Sequence, residues 1–140
     1  NRSSVAKLVS MFGAVADAQP SFPRSAYVHV PFCAHRCGYC NFSVIAGRND
    51  LSDEYLAGIG WELQRLGNRE KTSLTQLDTL YFGGGTPTQL TADQFRRLFA
   101  LVTSHLPVAD NAEITVEANP ADLDEEYIAA LVELGVNRIS

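Results

Sequence analysis

The sequence lacks three features that would each point to a common class of protein. It has no excess of basic charge, because 11 lysines and arginines stand against 16 aspartates and glutamates, and the net charge of −5 makes nucleic acid an unexpected partner. It has no apolar run long enough to span a membrane. It has only three cysteines, and an odd number crowded into one loop is not a secreted disulfide framework. We therefore expect a cytoplasmic protein without an integral membrane segment.

What is present is enough apolar sequence for one modest domain. Hydrophobic residues make up 46% of the 140 residues, which is too many for a disordered tail. Residues 1–25 are interpreted as a leader and a Pro-containing linker; their short apolar run only loosely resembles a signal peptide. Residues 26–140 are interpreted as the folded part. The last residues have the pattern of a strand cut short, so we expect an N-terminal fragment of a longer domain.

Strands and helices are predicted to alternate along the folded part. Period-two patterns ended by Pro or Gly predict strands over 26–30, 77–82 and 113–117, and the start of a fourth over 136–140. Helical spacing of apolar residues predicts three helices. The first covers 52–66, with Ser52 as N-cap and Gly67 as stop. The second follows the capping box that begins at Thr91, and the third is capped by Asp122 or Asp124 and ends at Gly135.

This order of elements predicts an α/β fold with a parallel sheet. The difference between the two faces of each strand indicates whether the sheet is open or part of a barrel. Three βα units and the start of a fourth strand imply right-handed crossovers. One face of each strand is apolar and the other is polar, whereas strands in an open parallel sheet tend to be apolar on both faces. We interpret the pattern as part of a barrel, with the functional site at the C-terminal ends of the strands. The polar face consists of Tyr27, His29, Thr79, Tyr81, Thr115 and Glu117.

All three cysteines lie within eight residues, directly after the first strand. Cys33, Cys37 and Cys40 have the spacing C-x3-C-x2-C, so three thiolates on one loop can bind a single metal centre. A [4Fe–4S] cluster normally takes four cysteines, and three would leave one iron open to a ligand. The alternative is a structural zinc site with His35 as fourth ligand. Spacing alone favours the iron–sulfur site, because structural zinc sites usually draw their ligands from two separated pairs.

Two further motifs follow the second and third strands. Gly83-Gly-Gly85-Thr-Pro87 is predicted to expose backbone N–H groups and to let a ligand approach closely. It lacks the Gly-Lys-Ser/Thr of a phosphate-binding loop and the spacing of a dinucleotide fold. Glu117 could accept hydrogen bonds from ligand hydroxyls, although a solvated strand end explains it almost as well. His29 is interpreted as an interior histidine whose hydrogen bonds are satisfied within the protein.

These motifs together resemble a known family. The cysteine spacing, with an aromatic residue before the last cysteine, is similar to the signature of the radical S-adenosylmethionine (SAM) superfamily. The longer strings Tyr27-Val-His-Val-Pro-Phe-Cys33, Tyr81-Phe-Gly-Gly-Gly-Thr-Pro-Thr88 and Glu113-Ile-Thr-Val-Glu-Ala-Asn-Pro120 resemble the oxygen-independent coproporphyrinogen III oxidase family, which includes a haem-chaperone branch. The resemblance implies the N-terminal part of a partial (β/α)6 TIM-like barrel.

The resemblance also implies ligands and roles for residues. Cys33, Cys37 and Cys40 would bind three irons of a [4Fe–4S] cluster, and SAM would bind the fourth. Tyr27 would lie beside the cluster and SAM, and Tyr39 beside the adenine. Gly84, Gly85 and Thr86 would hold the methionine end of SAM, and Glu117 the ribose. An electron-donor protein and a tetrapyrrole, either haem or coproporphyrinogen III, would be the partners.

One residue separates the branches of the family. The resemblance implies radical chemistry that begins with reductive cleavage of SAM, and in the oxidase it ends with decarboxylation of propionates to vinyl groups. The oxidase branch has a further cysteine two positions after the third ligand, whereas here Phe42 occupies that position. The haem-chaperone branch is therefore favoured, with the oxidase as the alternative and a Cys3His zinc module as the alternative from another class. The resemblance implies an enzyme of the radical SAM oxidoreductase type, with net turnover left open if it acts as a haem chaperone.

Overall fold

The computed structural model describes residues 24–69 and 76–140. The predicted leader and linker therefore lie outside the described residues, apart from Arg24 and Ser25. Ser25 already belongs to the first strand, which begins one residue before the predicted start.

The strands are β1 (Ser25–Val30), β2 (Phe32–Cys33), β3 (Ile45–Ala46), β4 (Leu77–Gly84), β5 (Val108–Val116) and β6 (Arg138–Ile139). The main sheet has four parallel strands in the order β1-β4-β5-β6. Two-residue strands β2 and β3 form a separate parallel pair that the sequence pattern does not predict. The predicted α/β class, with three βα units and a fourth strand, is confirmed, and the sheet does not close into a barrel among the described residues.

Three helices, α1 (Ser52–Arg69), α2 (Ala92–His105) and α3 (Glu125–Glu133), lie between these strands. The capping box at the start of α2 is confirmed, because the Thr91 hydroxyl accepts from the Gln94 N–H at 3.2 Å and the Gln94 side chain accepts from the Thr91 N–H at 3.0 Å. Asp124, rather than Asp122, caps α3. Gly135 has a φ of 77° and ends α3 as predicted. In the described part of the chain, no helix is both long enough and apolar enough to cross a membrane.

Two predictions about α1 were wrong. Ser52 is not its N-cap: it has helical torsion angles, follows the 3-10 turn Asn49–Leu51, and donates its hydroxyl to the Asn49 carbonyl at 2.7 Å. Gly67 does not end the helix, which continues to Arg69. A glycine stops a helix when it adopts a left-handed conformation, and Gly67 is not among the described glycines with positive φ.

The core lies between the apolar face of the sheet and the helices. Val30, Leu80, Phe82 and Val116 are fully buried on this face, as the alternation predicts. Phe82 packs edge-on against Phe95 of α2, with ring centroids 5.2 Å apart. Burial of each such side chain contributes about 1.5–3 kcal/mol. The other face carries Tyr27, Tyr81 and Glu117, so the helix-covered side and the site side of the sheet are separate.

Candidate functional site

A cleft of about 400 Å³ lies at the C-terminal ends of β1, β4 and β5. It is formed by the cysteine loop on one side and by the segments that follow β4 and β5 on the other. The residues of the three sequence motifs that line it are Cys33, His35, Cys37, Gly85, Thr86 and Glu117. The prediction that these motifs lie at one edge of a parallel sheet agrees with this geometry.

The cysteine loop is fixed at its base by the small β2–β3 pair. Ile45 donates its N–H to the Pro31 carbonyl at 2.8 Å, and Gly47 donates its N–H to the Cys33 carbonyl at 2.9 Å. All three cysteines are free thiols of intermediate burial. A turn joins the second and third, since the Cys40 N–H donates to the Cys37 carbonyl at 3.1 Å.

The structure brings two of the three cysteines to the cleft. Cys33 and Cys37 line it, whereas Cys40 does not. Within residues 24–69 and 76–140, no three His, Cys, Asp or Glu side chains are arranged as a ready-made metal site. Ligation of one metal centre by all three sulfurs therefore stays a prediction.

The backbone N–H groups of the glycine run form hydrogen bonds within the protein, which the sequence did not predict. Gly84 donates to Glu117 Oε2 at 2.9 Å, Gly85 to the Val30 carbonyl at 2.8 Å, and Thr86 to the Phe32 carbonyl at 2.6 Å. The expectation that these donors are free for a ligand is therefore wrong for this arrangement. The glycines are needed because neighbouring groups lie so close: a Cβ at residue 85 would come within 2.5 Å of the Phe32 carbonyl oxygen.

Glu117 is held at the end of β5 by two hydrogen bonds. Its Oε1 accepts from the Tyr81 hydroxyl at 2.8 Å and its Oε2 accepts from the Gly84 N–H at 2.9 Å. The hydrogen bond to the carboxylate is the main reason that the pKa of Tyr81 is raised above its usual value. The side chain is therefore a preorganised carboxylate on the cleft, rather than a solvated strand end.

Tyr27 and Tyr39 occupy different environments. The Tyr27 ring lies 5.9 Å from the Tyr81 ring, and partial desolvation, followed by the nearby Glu117 carboxylate, raises its pKa. Tyr39 has 88% of its surface exposed and does not line the cleft. Its predicted contact with a bound base would require a ligand that extends to the outside of the loop.

Further hydrogen bonds, which the sequence did not predict, connect the segments that form the site. The Thr86 hydroxyl donates to Cys33 Sγ at 3.7 Å, which joins the glycine turn to the first cysteine. Buried Thr88 donates to Asp122 Oδ2 at 2.9 Å and accepts from the Asn119 N–H at 3.1 Å, which joins that turn to the segment after β5. Thr88 and Asn119 belong to the strings that carry the family resemblance, and that is the only signal for them in the sequence.

Comparison with known proteins identifies the family. The model of the radical SAM superfamily matches residues 27–140, and the chain belongs to this superfamily. The heme chaperone HemW of Bacillus subtilis is 42% identical over 118 residues, which are 84% of this chain and 31% of that protein. The oxygen-independent coproporphyrinogen III oxidase of Synechocystis is 39% identical over 119 residues, or 84% of this chain and 25% of that protein.

A solved structure supports the same conclusion. The coproporphyrinogen III oxidase HemN of Escherichia coli, described as a radical SAM enzyme, superposes with a TM-score of 0.76 at 31% identity, covering 86% of this chain and 27% of that one. The chain thus spans less than a third of the length of each of these relatives. Superfamily membership implies, in general, a [4Fe–4S] cluster and SAM.

Proposed function

We propose that this chain contains the cluster-binding and SAM-binding part of a cytoplasmic haem chaperone of the radical SAM superfamily. The observation that carries the proposal is the shared cleft, in which Cys33 and Cys37 face Gly85, Thr86 and Glu117. Soft thiolate ligands suit iron–sulfur clusters, and three of them leave one iron open. Three cysteines crowded into one loop fit a reducing compartment better than a secreted disulfide framework.

The residues present fit this cofactor pair. Cys33, Cys37 and Cys40 would hold the cluster. Gly84, Gly85 and Thr86 would hold the methionine end of SAM. Gly85 and Thr86 line the cleft, and the Thr86 hydroxyl lies 3.7 Å from Cys33 Sγ. When bound, the cluster supplies an electron to SAM, whose reductive cleavage starts the hydrogen abstraction typical of the superfamily.

Glu117 and the tyrosines would bind the other end of SAM. The Glu117 carboxylate is oriented by its two hydrogen bonds and would accept from the ribose hydroxyls. Tyr27 would lie beside the cluster, and the exposed ring of Tyr39 is available to pack on the adenine. These contacts bind and orient SAM; no residue of this chain is proposed to transfer a proton in the reaction.

The choice of chaperone over oxidase depends on residue 42, two positions after the third cysteine. Phe42 occupies the position where the oxidase branch has a cysteine, and 62% of its surface is exposed. The similarity to the Synechocystis and Escherichia coli oxidases keeps coproporphyrinogen III oxidation as the second candidate. Haem or coproporphyrinogen III would be the small-molecule partner, and a separate protein would donate electrons.

The first experiment tests the metal centre. The full-length protein is reconstituted anaerobically with iron and sulfide, alongside a variant of each cysteine to serine and His35→Ala. We expect a brown protein whose reduced form gives a cluster EPR signal, loss of the cluster in each cysteine variant, and its retention in His35→Ala. A colourless protein that holds one zinc per chain and loses it in His35→Ala would instead establish the Cys3His zinc module.

The second experiment separates chaperone from oxidase. The reconstituted protein is incubated anaerobically with coproporphyrinogen III, SAM and a reductant, and haem binding is measured separately. We expect tight haem binding and no protoporphyrinogen IX. Stoichiometric conversion of coproporphyrinogen III would refute the chaperone assignment and establish the oxidase.

A further inference from the structure

His29 connects β1 to the far end of the cysteine loop. Its Nε2 lies 2.8 Å from the Ser43 carbonyl oxygen, and its Nδ1 lies 3.2 Å from the Tyr27 hydroxyl. A carbonyl oxygen only accepts, so Nε2 carries the proton and donates to Ser43. Nδ1 of the neutral ring then accepts from the Tyr27 hydroxyl. The two contacts define one tautomer and one ring orientation.

One further contact restrains the ring of His29, and another restrains its backbone. Gly84, the last residue of β4, has a φ of 114°, and a Cβ at that position would overlap the His29 ring. The end of β4 therefore packs directly against the imidazole. The Tyr55 hydroxyl of α1 donates to the His29 backbone carbonyl at 2.8 Å. The donor at Nε2 is therefore fixed relative to the sheet, to α1 and to the glycine turn.

The loop has few other attachments near its third cysteine. The β2–β3 pair fixes the base of the loop at Cys33 and at Ile45–Ala46. Between these points, the described hydrogen bonds of residues 34–44 are the Cys37–Cys40 turn within the loop and the bond from His29 to Ser43. Ser43 follows Cys40 by three residues. The contact with His29 is thus the tether that is closest in sequence to Cys40 and originates outside the loop.

We propose that His29 is a positioning residue, which restrains Cys40 by holding the Ser43 carbonyl. The inference deepens the proposed function, since Cys40 is the cluster ligand that does not line the cleft in this structure. Because Ser43 is held, the Cys40 thiol can move only a limited distance from the thiols of Cys33 and Cys37. The hydrogen bond from Tyr27 orients the ring and is not itself the tether.

The test measures thiol accessibility and needs no cluster. Iron-free full-length protein is alkylated with iodoacetamide under anaerobic conditions, and the rate at each cysteine is followed by mass spectrometry. In His29→Asn the shorter side chain no longer reaches Ser43, so Cys40 should react severalfold faster while Cys33 is unchanged. His29→Gln carries an amide N–H near the position of Nε2 and should restore the slow rate.

Three results would overturn the proposal: no acceleration at Cys40 in His29→Asn, equal acceleration at all three cysteines, or a rate in His29→Gln as fast as in His29→Asn. Cluster assembly in the wild-type protein together with any of these results would refute the tether and leave the proposed function intact. Selective acceleration at Cys40 in a protein that assembles no cluster would refute the proposed function and leave the tether intact.

Discussion

The carboxylate of Glu117 accepts the backbone N–H of Gly84 at 2.9 Å, across the C-terminal ends of β5 and β4. This bond replaces the interaction that the sequence suggests, in which the glycine N–H groups face a ligand. It fixes the carboxylate on the cleft and leaves the lone pairs that Tyr81 and Gly84 do not use available to a ligand. Two motifs that are 33 residues apart therefore form one unit.

The Glu117 carboxylate should control the titration of two tyrosines. Its hydrogen bond and charge raise the pKa of Tyr81, and its charge contributes to the raised pKa of Tyr27. In Glu117→Gln both pKa values should fall toward the usual value of about 10. NMR titration of ¹³C-labelled tyrosine measures both, with Tyr81→Phe to assign the resonance. Glu125→Gln, in the first turn of α3, is the control and should change neither value.

The hydrogen bond between Tyr81 and Glu117 also makes the stability of the protein depend on pH. A phenol is neutral when protonated, and its folded-state pKa is raised here. The stability contributed by the Tyr81–Glu117 bond is therefore complete below about pH 10 and is lost as the pH rises through the raised value. Alkaline unfolding of Tyr81→Phe should show a weaker dependence on pH in this range than the wild type. An identical dependence would contradict this role of the bond.

Gly85→Ala should destabilise the protein by about 1–3 kcal/mol. The new Cβ would lie 2.5 Å from the Phe32 carbonyl oxygen and 2.9 Å from that of Val30, and neither backbone atom can move without breaking strand contacts. Gly58→Ala is the matched control, because nothing lies within 4 Å of a Cβ at that position in α1. It should stabilise the protein by about 0.5–1 kcal/mol. Urea unfolding compares the two, and equal effects would contradict the packing argument.

The strands and helices that could be predicted are those in which apolar residues recur at a regular spacing. The alternation that placed Val30, Leu80 and Val116 in the core is a property of each strand, and burial confirms it. The β2–β3 pair could not be predicted, because strands of two residues have no period. The first four residues of β5 contain Asp110 and Asn111, which are typical of turns; they are a strand because Val108 pairs with Leu77.

The meeting of the three motifs at one edge of the sheet was predicted for a similar reason. The rule that parallel strands end at one edge of a sheet brings Cys33, Gly85 and Glu117 together without further information. The partners of the glycine N–H groups depend on which strand lies beside each glycine, and the position of Cys40 depends on the conformation of a loop. Both are tertiary properties that spacing along the chain does not contain.

Phe82→Ala should cost about 3–5 kcal/mol of stability. The ring is fully buried, with Phe95 at 5.2 Å and Phe99 at 5.9 Å between centroids, so truncation leaves a cavity between β4 and α2. Phe42→Ala is the matched control: 62% of that side chain is exposed, and its removal should change stability by less than about 0.5 kcal/mol. Thermal unfolding of both variants in the full-length protein checks the difference.

Thr86 should tune the reduction potential of the proposed cluster. Its hydroxyl donates to Cys33 Sγ at 3.7 Å, and a hydrogen bond to a ligating sulfur stabilises the more negative, reduced cluster. Thr86→Val keeps the side-chain shape and removes the donor, so the potential should fall by about 40 mV, the one-electron equivalent of a bond of about 1 kcal/mol.

Redox titration monitored by EPR measures this shift. Thr86→Ser keeps the donor and should remain near the wild-type potential. If the potential in Thr86→Val is unchanged, the hydroxyl does not bond the ligating sulfur. If Ser and Val shift it equally, the effect comes from packing of the missing or altered methyl group. Loss of the cluster in Thr86→Val alone would show that the contact with Cys33 contributes to metal retention as well as to the potential.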